Sequence, residues 1–557
     1  LNPSLIPCAM NPTHFLVLFL ILGLFQSATA QNRSFGTLPL AKKPGASLSS
    51  GPGVNDTPAA QKALAVYNRL VQARGDFRYP TPTFTMSKAV GNVAYIDYGK
   101  MEITLEEKAA GVCASMGPEV EDAALAFLLG HELTHYYEKH AWREGFVAAN
   151  KDLAIGMTLD SLADDTANET EADYLGGFLS YSAGYGLFDQ GDKLIGKLYQ
   201  AYGIPDIIPG YPILADREAL THRSAEKLVS LVEVFEMANM LTALGRYEDA
   251  YEYYRYVLMQ YQSRETYNNV GVTAVLDALQ YFNPSELKFR FPLELDLESS
   301  AKGNDGMANK REEILRQAIL HFDAAISLDP NYAPAYLNKA CAYALLNDEV
   351  RARFYAEIET KEAALAGHFP KTSMDADILI GILDWRAGNA TTAEAAFATA
   401  AGSGSALGAH NLRVLRNEPQ PSEIPPSAGL RREKIDDKTI AAISADPQFV
   451  PRKDVSVGPN LMFRQNPTEG PGSQLFISQN LVNDEIVFLH LTNPAYQGPT
   501  ARGISLGDDR TTVVEKYGEP TTAVETPRGQ IMVYKAILFI LDDHGKVIRW
   551  GNYLISS

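Results

Sequence analysis

Residues 128–140 read "LLGHELTHYYEKH", and within them His131-Glu132-Leu133-Thr134-His135 spells H-E-x-x-H. The stretch continues the apolar periodicity of "EDAALAFLLGHELTHYYEKHAW" (121–142), which predicts a helix with acidic residues in its first turn, where the helix dipole favours them. Residues four apart lie on one helix face, so His131 and His135 can aim ring nitrogens at one zinc ion. Glu132 can then reach the water that completes the metal shell and act as general base in peptide-bond hydrolysis. His140 lies nine residues beyond His131. At about 100° per residue it falls on the far side of the helix and is not expected to be a ligand.

A third ligand must come from elsewhere. "TANETEADYLGGFLSYSAGYG" (166–186) places Glu169 and Asp173 four apart on a second helix, with Glu171 between them on another face. Glu169 can ligate the metal while Asp173 accepts a hydrogen bond from a ligand histidine and so sets its tautomer. Glu171 is the alternative carboxylate. The segments "GHELTHYYEKH" and "NETEADYLGG" together resemble the gluzincin endopeptidases of the family that includes HtpX, the CAAX prenyl endopeptidases and the beta-barrel assembly-enhancing protease. The resemblance covers roughly residues 60–230. It implies a zincin-like α+β peptidase domain, one zinc ion per chain and Glu169 as the third ligand, with Glu171 as runner-up. The metzincin pattern is excluded, because Glu138 and Ala141 stand where that family has Gly and His. In "ALTHRSAEKLVSL" (219–231) Thr221-His222 matches a Thr-His-Pro segment of the family, although Arg223 replaces the proline and Leu228 stands where an arginine would be. That match implies a catalytic role for His222, as a fourth, inhibitory ligand or an aid to the transition state.

From about residue 230 to 415 the chain is Ala-rich with helical periodicity, and a repeat emerges. "ALGRYEDAYEYYRYV", "REEILRQAILHFDAAISLDP" and "RAGNATTAEAAFATA" share one phasing: Ala250/Tyr254, Ala318/Phe322/Ala325/Pro330 and Ala393/Phe397/Ala400. "NYAPAYLNKACAYALLNDEVRA" adds Tyr336, Ala340, Tyr343 and Ala352 at matching offsets, while Gly245 and Gly388 each precede the first Ala by five residues. The pattern resembles the tetratricopeptide repeat, a helix-turn-helix unit of about 34 residues whose stacked copies offer a surface for extended protein segments. The periplasmic peptidases of the family carry such repeats after the peptidase domain.

A Pro-rich linker (416–432) precedes a region of different texture. "SQLFISQN", "DEIVFLHL", "QIMVYKAILFILDD" and "GKVIRWGNYLI" predict strands, "DDHGK" a tight turn, and "GISLGDDRTTVVEKYGEP" a short helix ending at Gly518. The pattern resembles small envelope domains of the outer-membrane lipoprotein type.

Composition supports several domains. With 557 residues and 46% hydrophobic content each can bury a core, and the net charge of −18 argues against nucleic acid as a partner. Near the start, "FLVLFLILGLF" (15–25) followed by Ala28-Thr29-Ala30 fits a signal peptide cut before Gln31, with Met10 as its natural start. Of three cysteines, Cys8 would leave with the signal, and Cys113 and Cys341 are expected as small buried hydrophobes without a disulfide.

The expected chain is thus multidomain and mainly α. It comprises a signal peptide (1–30), a flexible lead-in (31–58), a zinc metallopeptidase domain (59–229), tetratricopeptide-like repeats (230–415), the linker (416–432) and a small α+β domain (433–557). The expected function is a periplasmic zinc endopeptidase acting on unfolded or misassembled proteins, with the repeats docking substrates or envelope assembly machinery and no integral membrane span in the mature chain. The alternative is a repeat-based scaffold or chaperone with a latent peptidase domain.

Overall fold

The computed structural model describes residues 33–34, 57–138, 165–186, 188–205, 214–283, 286–293, 308–421, 424–425, 433–445, 453–467, 473–526, 529–542 and 544–556. The expected signal peptide, most of the lead-in and His140 lie outside them. The chain forms two compact units, Leu1–Val71 with Pro80–Glu226 and Gln72–Tyr79 with Lys227–Ser557. Among the described residues no helix is long and apolar enough to cross a membrane.

The first unit opens with strand β1 (Arg33–Ser34) and helix α1 (Pro58–Arg74), followed by β2 (Thr83–Ser87), β3 (Ala94–Asp97) and β4 (Glu102–Glu106). The sheet order is β1-β3-β4-β2; β3 and β4 form an antiparallel hairpin, and β2 runs parallel to β4. Helices α2 (Glu107–Ala114), α3 (Glu121–Tyr137), α4 (Asp165–Ser180), α5 (Gly191–Tyr202) and α6 (Leu214–Ala243) follow, α6 running on into the second unit. Helix α3 is buried without a break from Ala124 to Thr134, as expected of a central helix that is apolar on nearly every face. Its N-terminus carries Glu121 and Asp122, and Lys62 of α1 bridges both, at 2.6 and 2.9 Å.

The second unit continues with helix pairs. These are α7 (Tyr247–Gln260), α8 (Arg264–Leu279), α9 (Ala308–Leu328), α10 (Ala333–Leu345), α11 (Glu349–Phe354), α12 (Thr360–Gly367), α13 (Pro370–Arg386), α14 (Ala390–Gly402) and α15 (Ala406–Arg416), with a π-helical turn, Tyr355–Glu359, joining α11 to α12. The small and aromatic positions of the repeat pattern are the contact points: Ala250, Tyr254, Ala318, Phe322, Ala325, Ala393, Phe397 and Ala400 are all buried. The residue five before Ala250, Ala352 and Ala393 has positive φ in each copy, filled by Gly245 (71°), Asn347 (60°) and Gly388 (87°). Glycine and asparagine tolerate that left-handed turn between paired helices.

A short helix α16 (Ile440–Ser444) leads into an eight-stranded antiparallel sheet. Its strands are β5 (Lys453–Gly458), β6 (Leu461–Pro467), β7 (Ser473–Asn480), β8 (Ile486–Thr492), β9 (Thr522–Thr526), β10 (Gly529–Val533), β11 (Ile537–Leu541) and β12 (Val547–Ser556), in the order β5-β6-β7-β8-β12-β11-β10-β9. Helix α17 (Arg510–Tyr517) supplies Val513 and Tyr517 to a core with Phe539 and Trp550. The hairpin β5–β6 and strand β9 were not anticipated from the sequence. The repeats and the sheet both fall within the second compact unit. Side chains of α7 and β7 make the join: Tyr253 Oη donates to Ser478 Oγ at 3.0 Å, and Asn480 Nδ2 donates to Asp249 Oδ1 at 3.1 Å. Cys113 and Cys341 are buried and free, and burial pushes the Cys113 thiol up to about 12.

Candidate metal centre

The approach of α3 to α4 sets the site. Gly130 and Gly176 face each other so closely that a Cβ on Gly176 would sit 2.7 Å from Gly130 C and from His131 N, and a Cβ on Gly130 would sit 2.7 Å from Gly176 O. No residue with a side chain fits at either position, so the two backbones touch where the motif begins. At the other end of α3 the last-turn carbonyl of His135 accepts from Tyr98 Oη (3.0 Å), and Tyr136 Oη donates to Pro80 O (2.6 Å). These contacts brace the C-terminal end of α3.

Among the described residues, His131, His135 and Glu169 form a group whose ligand atoms all lie within 4.8 Å of one another. His131 Nε2 is 2.9 Å from His135 Nε2 and 3.4 Å from Glu169 Oε2, and His135 Nε2 is 3.4 Å from Glu169 Oε1. An ion holding these donors at the bond lengths of tetrahedral zinc would set them about 3.3 Å apart. Spacing and donor set therefore fit one such ion. The His135 and Glu169 side chains keep 12% and 14% of their surface exposed, while His131 is fully buried. Glu132, next to His131 on α3, is fully buried.

Asp173 is one turn beyond Glu169 on α4 and its Oδ1 lies 2.8 Å from His131 Nδ1. A carboxylate there holds the proton on Nδ1 and leaves the Nε2 lone pair facing His135 and Glu169. Burial by itself would lower the His131 pKa, but hydrogen bonds and charge from Asp173 and Glu169 outweigh it and raise the group to about 9. The same two carboxylates that favour a proton on this imidazole favour any cation placed against it. Glu171 is not part of the ligand group.

The structure does not bring His222 to the cluster. Its side chain is 62% exposed, with Nε2 3.7 Å from Glu226 Oε1 on the same helix. The residue before it points inward instead: Thr221 Oγ1 donates to Asp173 Oδ2 at 2.9 Å, extending a chain from Thr221 through Asp173 to His131. Successive helical residues are about 100° apart, so with Thr221 turned to α4, His222 faces away from it. Gly130, Gly176 and Tyr98 are the residues the sequence reading missed, and Thr221, noted there only as part of the Thr-His match, was given no role. Glycines inside two long predicted helices were the visible signal for the first close approach; nothing local marks Tyr98.

Thr221→Val keeps the methyl group beside Gly191 and removes the donor to Asp173. Zinc affinity, measured by competition with a chromogenic chelator, is expected to fall about tenfold, and Thr221→Ser to restore it. Equal affinity in all three proteins would reduce Thr221 to a packing residue.

A comparison of the chain with curated proteins returns no match. The profile of the family described as tetratricopeptide repeat matches residues 321–354, which span the end of α9, all of α10 and the whole of α11, so this part of the second unit is a tetratricopeptide repeat, a kind of module that mediates protein–protein contact.

Proposed function

We propose that the chain is a zinc-dependent endopeptidase of the cell envelope that cleaves misfolded or unassembled proteins, its repeats binding substrates or partner machinery. The observation that carries this reading is the triangle of His131, His135 and Glu169 ligand atoms at 2.9–3.4 Å, delivered by the H-E-x-x-H helix α3 and by α4 packed against it. When bound, zinc supplies Lewis acidity toward a peptide carbonyl and acidifies a water. The chain's own residues do the rest. His131, His135 and Glu169 hold the ion, Asp173 keeps the His131 proton on Nδ1, and Glu132 takes the proton of the attacking water and passes it to the leaving amine. The periplasmic location rests on the signal-like segment near residue 30 and on the family resemblance.

The test is metal content and metal-dependent cleavage by the mature protein. About one zinc per chain is expected, with degradation of unfolded casein that a chelator stops and added zinc restores. The tetratricopeptide match favours a second reading, a scaffold whose peptidase domain is latent. Absence of chelator-sensitive cleavage by the zinc-loaded wild type would select it.

A further inference from the structure

The connection from α8 to α9 runs over residues 280–307, whereas helices within a repeat are ordinarily joined by roughly 2–8 residues. The two helices are nonetheless a repeat pair, since a Cβ on Gly271 of α8 would meet the Phe322 ring of α9 at 2.5 Å. The extra length carries "LKFRFPL", residues 287–293, onto α10, α13, α14 and α15, and holds it there without regular secondary structure.

Residues 288–292 of the stretch each contact one of these helices. Phe289 is buried edge-on against Trp385 of α13, with ring centroids 5.1 Å apart, and packs on Phe397 of α14 at the same distance. Phe291 is buried beneath the Arg386 guanidinium at 5.4 Å, and Arg386 is itself anchored by donating to Ala344 O at 2.7 Å. Lys288 Nζ covers the outer face of Trp385 at 4.6 Å. Between the two aromatics, fully buried Asn411 of α15 reads the backbone. Its Oδ1 accepts from Arg290 N at 3.0 Å and its Nδ2 donates to Arg290 O at 2.9 Å. Cys341 Sγ of α10 contacts Pro292 O at 3.8 Å.

This is how a protein captures an extended peptide. A side-chain amide pairs with both polar groups of one residue whatever its identity, and pockets take the side chains on either side of it. We propose that the groove of α10, α13, α14 and α15 is a binding site for extended segments of other proteins with the pattern aromatic-x-aromatic-Pro, and that residues 287–293 occupy it as a built-in competitor. A tethered occupant has an effective concentration in the millimolar range, so an incoming segment must displace it. The groove would therefore ignore isolated weak matches and answer only to abundant or multivalent ones, such as chains that expose several aromatic segments at once. The inference uses no residue of the metal cluster.

The experiment uses the full mature chain and a fluorescein-labelled peptide of sequence Leu-Lys-Phe-Arg-Phe-Pro-Leu, read by anisotropy. In Phe289→Ser/Phe291→Ser, which strips the resident stretch of its anchors, the peptide is expected to bind ~100-fold more tightly than to wild type, the ratio of a millimolar tether to a ten-micromolar site. Adding Asn411→Ala to that variant is expected to weaken binding about tenfold. A folded double variant that binds the peptide no better than wild type overturns the proposal. Should circular dichroism find the double variant unfolded, Pro292→Cys decides, its disulfide to Cys341, whose Sγ lies 3.8 Å from Pro292 O, being verified by loss of both free thiols before binding is read. Binding of millimolar peptide that disappears on oxidation and returns on reduction supports the proposal, and binding unchanged by oxidation, or absent throughout, overturns it.

Discussion

Glu132→Gln is expected to lower the rate of peptide-bond hydrolysis by about 10²–10⁴-fold while zinc content stays at the wild-type level. The split follows from which atoms do what. His131, His135 and Glu169 form the group that could hold the ion, and Glu132 is not among them. Glutamine has nearly the shape of glutamate, so the fully buried position keeps its packing, yet an amide oxygen cannot take up and return a proton at neutral pH. Metal analysis and casein cleavage on the same preparation read both halves. Undiminished cleavage would end the peptidase reading with Glu132 as base, and loss of zinc together with activity would mean that the substitution had disturbed the ligands.

Gly176→Val is expected to remove the site altogether. A Cβ there already falls 2.7 Å from two backbone atoms of α3, so valine must push α4 away. His131 and His135 come from α3, Glu169 and Asp173 from α4, and a shift of even 1 Å opens a triangle whose sides are 2.9–3.4 Å. Zinc affinity should fall at least a hundredfold, and the first unit should lose roughly 2–4 kcal/mol from overpacking of a close helix contact. Gly111→Ala is the control. Its Cβ meets nothing within 4 Å, and as a residue of α2 it should leave zinc binding alone and raise stability by up to about 1 kcal/mol. Chelator competition and thermal unfolding separate the two. Wild-type zinc affinity in Gly176→Val would show that the close approach of the glycines does not set the ligand spacing.

The two variants also mark where sequence reading stops. Glu132 could be singled out from five letters, because a helix converts a spacing of four into a shared face and the chemistry of the neighbour follows. Glu169 and Asp173 came from the same rule applied to a second helix, and the structure sets both beside His131. The small residues and aromatics of the repeats were legible for a similar reason: they recur at fixed offsets, and each offset corresponds to a contact between paired helices. Strands β5 and β6 were within reach, since "KDVSVGPNLMF" alternates around a Gly-Pro-Asn turn, but the alternation is short and polar at its start.

What the sequence determined by itself are the local regularities: where helices run, which residues share a face, which turns need glycine or asparagine. Only the tertiary structure decided that Thr221, and not its neighbour His222, meets Asp173. It also decided that Gly130 and Gly176 come into backbone contact beside the site, and that residues 287–293 lie against helices α10, α13, α14 and α15. Helical periodicity relates residues within one element. The choice between two adjacent residues of α6 depends on how that helix is rotated against α4, and the path of a long connection depends on pockets built from Trp385, Phe397 and Asn411, which come from three other helices. Such relations are properties of packing, and no spacing along a single segment encodes them.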